Sequence, residues 1–211
     1  TLDAAFEGAA AYNRPLYSWD VSRVLSMDAV FSGAGRFDQD LSVWDVARVT
    51  SMVGTFEGAT SFSGALGRWN VGRVADTSSL FEGATLFNSP LDGWDVSRVT
   101  STTAMFLDAA AFNQSLGRWD VSAVEDMSQM FEGALRFNSS LAAWDVSSVT
   151  SLERMFAGAI SFDRSLETWN VSAVASVREM FGGDEACQRP LDGLPGRLPR
   201  RGATGGWVAG A

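Results

Sequence analysis

Apolar residues recur along this chain at a fixed step of 25. Tryptophan marks the step at Trp19, Trp44, Trp69, Trp94, Trp119, Trp144 and Trp169. Leucine precedes it by three (Leu16 to Leu166), and valine follows it by two (Val21 to Val171) and by five (Val24 to Val174). The spacing then lengthens. A mostly apolar residue sits eight after the tryptophan (Met27, Met52, Thr77, Thr102, Met127, Leu152, Val177), and phenylalanine sits twelve after it (Phe31 to Phe181). Alanine at fifteen and a second phenylalanine at eighteen close the unit, as in Ala34 and Phe37. A period of this size marks an array in which each unit buries its apolar face only against its neighbours.

The Trp-x-Val step is the period-2 signature of a strand with one buried face, so one short strand per unit is expected. Val30 and Phe31 lie three and four residues after Met27, the helical spacing, and predict a short helix from about residue 27 to residue 33. Ser26, Ser51, Asp76, Ser101, Asp126, Ser151 and Ser176 stand where its N-cap would fall,. Gly33, Gly58, Gly83, Gly133, Gly158 and Gly183 stand where a left-handed residue would end it,. The expected architecture is therefore α/β: 25-residue coils, each a short strand plus a short helix, with parallel strand stacking. The seven tryptophans, Trp19 to Trp169, and the phenylalanines are expected to form structural ladders in the core at the strand separation of about 4.8 Å.

The repeat region covers 1–193, with a partial repeat at 1–15, seven full repeats at 16–190 and a degenerate last coil from 191; residues 194–211 form a non-repeat C-terminal cap or tail. At the front, Leu2, Phe6, Ala9, Tyr12 and Asn13 match the second half of a unit, so Thr1 falls in mid-repeat and the true start is expected to lie further upstream. At the back, Cys187 takes the last Phe position and Leu194 stands where Trp should be. Thr50-Ser51, Thr100-Ser101 and Thr150-Ser151 occur in alternate units, which hints at a 50-residue duplication.

Composition removes several chemistries. All sixteen cationic side chains are arginine, histidine is absent and the net charge is -9. Without histidine the usual general base is missing, and without lysine there is neither P-loop nor Schiff-base chemistry. A single cysteine makes no intrachain disulfide and no thiolate metal cluster,. An acidic chain without a basic run is a poor match for nucleic acid. No run of about 18 apolar residues reads as a membrane span, and no signal-peptide pattern opens the chain. The expectation is a non-enzymatic protein without cofactor.

The unit L-x-x-W-[DN]-V-x-x-V-x-x-M-x-x-x-F-x-G-A-x-x-F-N, seen at Leu91 to Val99 as Leu-Asp-Gly-Trp-Asp-Val-Ser-Arg-Val, resembles the BspA-type leucine-rich repeat surface proteins, in particular their 25-residue DUF285 branch. The resemblance implies a leucine-rich-repeat-like solenoid, an extracellular or cell-surface location, and adhesion or protein binding without catalysis. It brings no catalytic residues.

Three polar columns offer chemistry. The residue after Trp is Asp20, Asp45, Asn70, Asp95, Asp120, Asp145 or Asn170; such a column suits either a hard cation or backbone N–H groups at a bend, and the two asparagines favour the second. Arg23, Arg48, Arg73 and Arg98 form a column confined to the first four repeats. It serves either to bind a carboxylate or other anion or to neutralise the neighbouring aspartates. Asn13, Asp38, Ser63, Asn88, Asn113, Asn138 and Asp163 predict a ladder of side-chain to backbone bonds,. Asn113, Asn138 and Asn170 also open glycosylation sequons, which the repeat itself would generate,.

Two functions follow. The first is a protein-interaction or adhesion module that contacts a protein or surface glycan through Tyr17, Arg23, Arg48, Arg68, Arg73, Arg98 and Arg118. The second is a rigid peripheral scaffold subunit of a larger membrane or organellar assembly, held by its end coils and by a docking tail of Arg197, Arg200, Arg201 and Trp207. The second places the chain on an organellar lumen or peripheral membrane face.

Overall fold

The computed structural model describes residues 1–182 together with the backbone of Arg200–Arg201 and Trp207–Val208. The 25-residue units stack in register as rungs: rung 1 begins at Leu16, rung 4 at Leu91 and rung 7 at Leu166, with residues 1–15 as a partial rung before them.

The expected α/β solenoid of strand-plus-helix coils is not what forms. Among the described residues there is no helix, and the only strands are β1 (Arg200–Arg201) and β2 (Trp207–Val208), an antiparallel pair outside the periodic region. The segment predicted as helix is a ribbon of overlapping i to i+3 turns. Val30 N–H donates to Met27 O, Ser32 N–H to Ala29 O and Ala34 N–H to Phe31 O, at 3.0–3.4 Å. Residues 29 and 33 have positive φ, 54° and 69°, the left-handed third position that a type II turn demands.

The intervening N–H groups leave the rung. Those of Met27, Ala29, Phe31 and Gly33 donate to the carbonyls of Ser51, Val53, Thr55 and Glu57 in the next rung at 2.7–3.0 Å, and the same set recurs at every junction through to rung 7. A helix of one to two turns is marginal on its own. Handing alternate N–H groups to a neighbour satisfies the same donors while tying the rungs together. The glycine positions are left-handed as expected, but as turn corners; Asp108 takes the same conformation in rung 4, and Gly183 lies outside the described residues.

Nor is Trp-x-Val a strand. Trp44 N–H donates to Leu41 O and Val49 N–H to Val46 O, and Trp69 N–H donates to Leu66 O in the same way, so the stretch runs between two turns. One residue per rung pairs in the parallel manner, Ser26 with Ser51 and onward by 25 to Ser176, flanked by bonds such as Thr50 N–H to Leu25 O. These are the residues read above as N-caps. No helix follows for them to cap, but Asp76 and Asp126 still accept the N–H two residues on at 2.8 Å, while the Ser51 hydroxyl donates to Asp28 of the rung before.

The core is continuous, and the apolar columns line it. Phe31 and Phe37 stack at 4.1 Å within a rung, and Phe31 meets Phe56 of the next at 5.5 Å. Both ladders need a correction in their spacing: the phenylalanine columns repeat at 5.4–6.1 Å, and Trp94, Trp119, Trp144 and Trp169 lie nearly parallel at 6.4–6.5 Å, all wider than the strand separation expected above. At the front of the column Trp19, Trp44 and Trp69 lie tilted against Phe6, Phe31 and Phe56, with ring centroids 5.4, 6.0 and 6.2 Å apart. The indoles lean on the phenylalanine column as well as on one another, Trp94 against Phe81 and Trp144 against Phe131 included. The indole N–H groups of Trp44, Trp69, Trp94, Trp119, Trp144 and Trp169 each donate to the leucine carbonyl that opens the preceding rung at 2.9–3.1 Å, which permits a polar-tipped ring to be fully covered. Trp19, first of its column, is 42% exposed.

Candidate binding edge

With the core columns committed to packing, what distinguishes one rung from another is charge. The Asp/Asn column after the tryptophan turns out to be built into the bend: in all seven rungs Oδ1 accepts the N–H two residues on, from Ser22 to Asp20 through to Ser172 to Asn170. Where that residue is serine, its hydroxyl also donates in rungs 1, 4 and 5. The hydroxyl and the backbone N–H of Ser97, with help from the Arg98 charge, hold Asp95 below the usual carboxylate range; Ser22 and Arg23 do the same for Asp20. Among the described residues no group of three carboxylate, cysteine or histidine side chains gathers as a metal cradle.

The Asn column likewise forms a ladder. Asn13, Asp38, Asn88, Asn113 and Asn138 each accept, through Oδ1, the N–H of the residue 25 further on at 2.9–3.1 Å.

Arg23, Arg48, Arg73 and Arg98 stand exposed beside the Asp column, one per rung. No carboxylate among the described residues lies within 4.0 Å of any of them; the ion pairs that form are elsewhere, between Arg118 and Asp92 and among Glu132, Glu153, Arg154, Arg178 and Glu179. Neutralisation of the aspartates is therefore a longer-range effect. Arg68 and Arg118 occupy a different column, five residues before Arg73 and five before position 123, and Tyr17 is 71% exposed on rung 1. The candidates thus fall into separate groups, with the four column arginines forming the coherent one.

One part of that column is concave. Asn70, Gly72, Arg73, Asp95 and Arg98 line an open cleft of about 450 Å³, completed by Ala47 and Thr50 of the rung before. Sequence reasoning identified the arginines but missed the cleft. Its signal was present in the double break at rung 3, where Asn70 replaces the usual aspartate and Gly72 the usual serine.

A second cluster was missed altogether. On the turn ribbon Arg154 bridges Glu132 of the rung before and Glu179 of the rung after, with Nε 3.0 Å from Glu132 Oε2, while Arg178 approaches Glu153 at 3.6 Å. Burial works to raise the Glu132 pKa, but the hydrogen bonds from Arg154 and Gln129 outweigh it and the net shift is downward. In the first half the same ribbon carries Glu57 and Glu82 without such a clamp, and burial together with repulsion from Glu82 and Glu7 pushes Glu57 up. The proposed docking tail lies outside the described residues at Arg197, and for Arg200, Arg201 and Trp207 only the paired backbone is described. Cys187 also lies outside.

Stacked 25-residue rungs with repeat-built polar columns define a repeat protein. The chain belongs to the family described as Mycoplasma protein of unknown function, DUF285, whose model matches residues 1–117 and again residues 81–194. Comparison with curated proteins and with solved structures finds no match in either. No helix among the described residues is long and apolar enough to cross a membrane.

Proposed function

We infer that this protein is a non-enzymatic interaction module and that it binds its partner through the arginine edge of rungs 1–4. The observation that carries this reading is the register of Arg23, Arg48, Arg73 and Arg98, which are exposed, evenly spaced and, among the described residues, free of carboxylates within 4.0 Å. A row of forked donors on a rigid support matches a carboxylate-bearing protein segment or an acidic surface glycan. The support is pre-organised because the core beneath is continuous and each bend is tied by its Asp or Asn, so little ordering cost falls on binding.

The test is binding of the full chain to immobilised oligogalacturonate and oligoglutamate, with a neutral oligosaccharide as reference. The R23Q/R48Q/R73Q/R98Q variant should lose at least tenfold in affinity for whichever acidic probe binds, and the wild-type affinity should fall as salt rises. Equal binding by both proteins, or release of new reducing ends from the oligosaccharide, contradicts the reading.

A further inference from the structure

We propose that the cleft at rungs 3 and 4 is a subsite for a carboxylated sugar, in which Arg73 and Arg98 hold the carboxylate and Asp95 takes an adjacent hydroxyl. This rests on the reading of the arginine edge as a binding face and narrows it to one place and one ligand chemistry.

Three features come together here and at no other described rung. First, Arg73 and Arg98 line the same cleft, so two arginines one rung apart border a common space. Two like charges held side by side favour an anion between them, and a planar carboxylate matches the guanidinium fork. Second, Asn70 stands where five of the seven rungs have aspartate. Its Oδ1 accepts the Gly72 N–H, which leaves the NH₂ end as a donor and removes a negative charge that would repel the ligand. Third, Gly72 stands where five of the seven bends have serine and rung 2 has Ala47, and a Cβ there would meet Asp95 Oδ2 at 3.0 Å and Asn70 Oδ1 at 3.4 Å. The missing side chain therefore opens the space in front of the Asp95 carboxylate. Asp95 Oδ1 is taken by the N–H and hydroxyl of Ser97; Oδ2 remains as an acceptor.

The resulting array is donors from Arg73, Arg98 and Asn70 with one anionic acceptor beside them. A sugar acid presents a carboxylate and neighbouring hydroxyls on one ring and fits both. A glutamate or aspartate side chain carries no hydroxyl beside its carboxylate and would meet Asp95 as a like charge. The lining also lacks the apolar pocket that anchors most protein partners, Ala47 being its one residue with a purely hydrocarbon side chain,. These points favour the saccharide over the acidic peptide.

The experiment is calorimetric titration of the full chain at low salt with oligogalacturonate, oligoglutamate and inorganic sulfate. Oligogalacturonate should bind at least tenfold more tightly than either of the others. R73Q/R98Q should weaken it tenfold or more. G72S and N70D, which install residues that other rungs already carry and so fold, should each weaken it several-fold, while R136Q, at an exposed arginine outside the arginine edge, leaves it unchanged. If the fourfold arginine variant abolishes binding and G72S and N70D leave it intact, the edge reading stands and the cleft assignment is overturned. If oligoglutamate or sulfate binds as well as oligogalacturonate, the sugar chemistry is overturned. If none binds, both readings fail.

Discussion

Rungs 1–4 and rungs 5–7 share one core and differ in where they keep their cations. In the first group Arg23, Arg48, Arg73 and Arg98 line the edge after the tryptophan; in the second, Ala123, Ser148 and Ala173 stand there, and Arg154 and Arg178 appear on the turn ribbon, paired with Glu132, Glu153 and Glu179. The ribbon of the first group carries Glu57 and Glu82 with no clamp, and their repulsion contributes to the raised Glu57 pKa. An exposed arginine row with no carboxylate among the described residues within 4.0 Å adds little to stability, whereas Arg154 joins three rungs. On the proposed reading the same residue has two uses: recognition in the first half, cross-linking in the second.

If the core is common to both halves, its disruption should cost the same in each. Phe81→Ala and Phe131→Ala remove rings with no exposed surface and should each destabilise by about 3–5 kcal/mol, with denaturation midpoints that agree closely. A large disparity would mean the halves are not packed alike.

The charged positions should then separate them. Arg154→Ala leaves Glu132, 16% exposed at its side chain, and Glu179 without their shared cation. Because Arg154 itself is partly in solvent, the loss is set at about 1–2 kcal/mol, between exposed and buried pairs. Arg98→Ala should change stability by less than about 0.5 kcal/mol. Urea titration of both variants checks the contrast.

Backbone substitutions sharpen the account of the ribbon. Ala104 and Gly54 occupy equivalent turn corners at φ 54° and 58°. A Cβ is disfavoured in that region by roughly 1–2 kcal/mol, partly offset by the greater freedom of glycine in the unfolded chain. Ala104→Gly should therefore stabilise by about 0.5–1 kcal/mol and Gly54→Ala destabilise by a similar amount, measured as opposite shifts in melting temperature. In a helix the signs would be reversed.

The smallest effect is a pH dependence of opposite sign in the two halves. Glu57 has a raised pKa, so its favourable contribution is complete below the ordinary glutamate value of about 4.3 and is lost as pH rises through the higher folded value. Glu132 has a lowered pKa, so its contribution is present above the ordinary value and is lost as pH falls through the lower folded one. Glu57→Gln should raise stability slightly at neutral pH relative to acid, and Glu132→Gln should lower it at neutral pH; stability measured across the acid range reads both.

The columns were legible because burial repeats every 25 residues: the periodic Leu, Trp, Val, Phe and Ala positions are core residues, and the Asp and Asn columns bond to backbone as their short acceptors allow. The ribbon was not. Met27, Val30, Phe31 and Ala34 fit a 3.6-residue period and a chain of i to i+3 turns equally well, and Gly33 suits the end of a helix as readily as a turn corner. What decides between them is the destination of alternate N–H groups, which is the neighbouring rung and leaves no trace in local spacing. The cleft was half legible: four arginines at one position were visible, but the opening depends on Gly72 lying against Asp95 of the next rung. The Arg154 clamp breaks the pattern at a single position, where periodicity gives no warning.

The most direct test of the two-use account is residue-by-residue mapping of ligand contact by NMR on the full chain, with oligogalacturonate and oligoglutamate as probes. Perturbed amides should cluster along the edge of rungs 1–4, strongest between Ala47 and Arg98, with Glu132, Arg154 and Glu179 unmoved. Perturbations centred on the ribbon or on rungs 5–7 would contradict the claim that recognition belongs to the first four rungs.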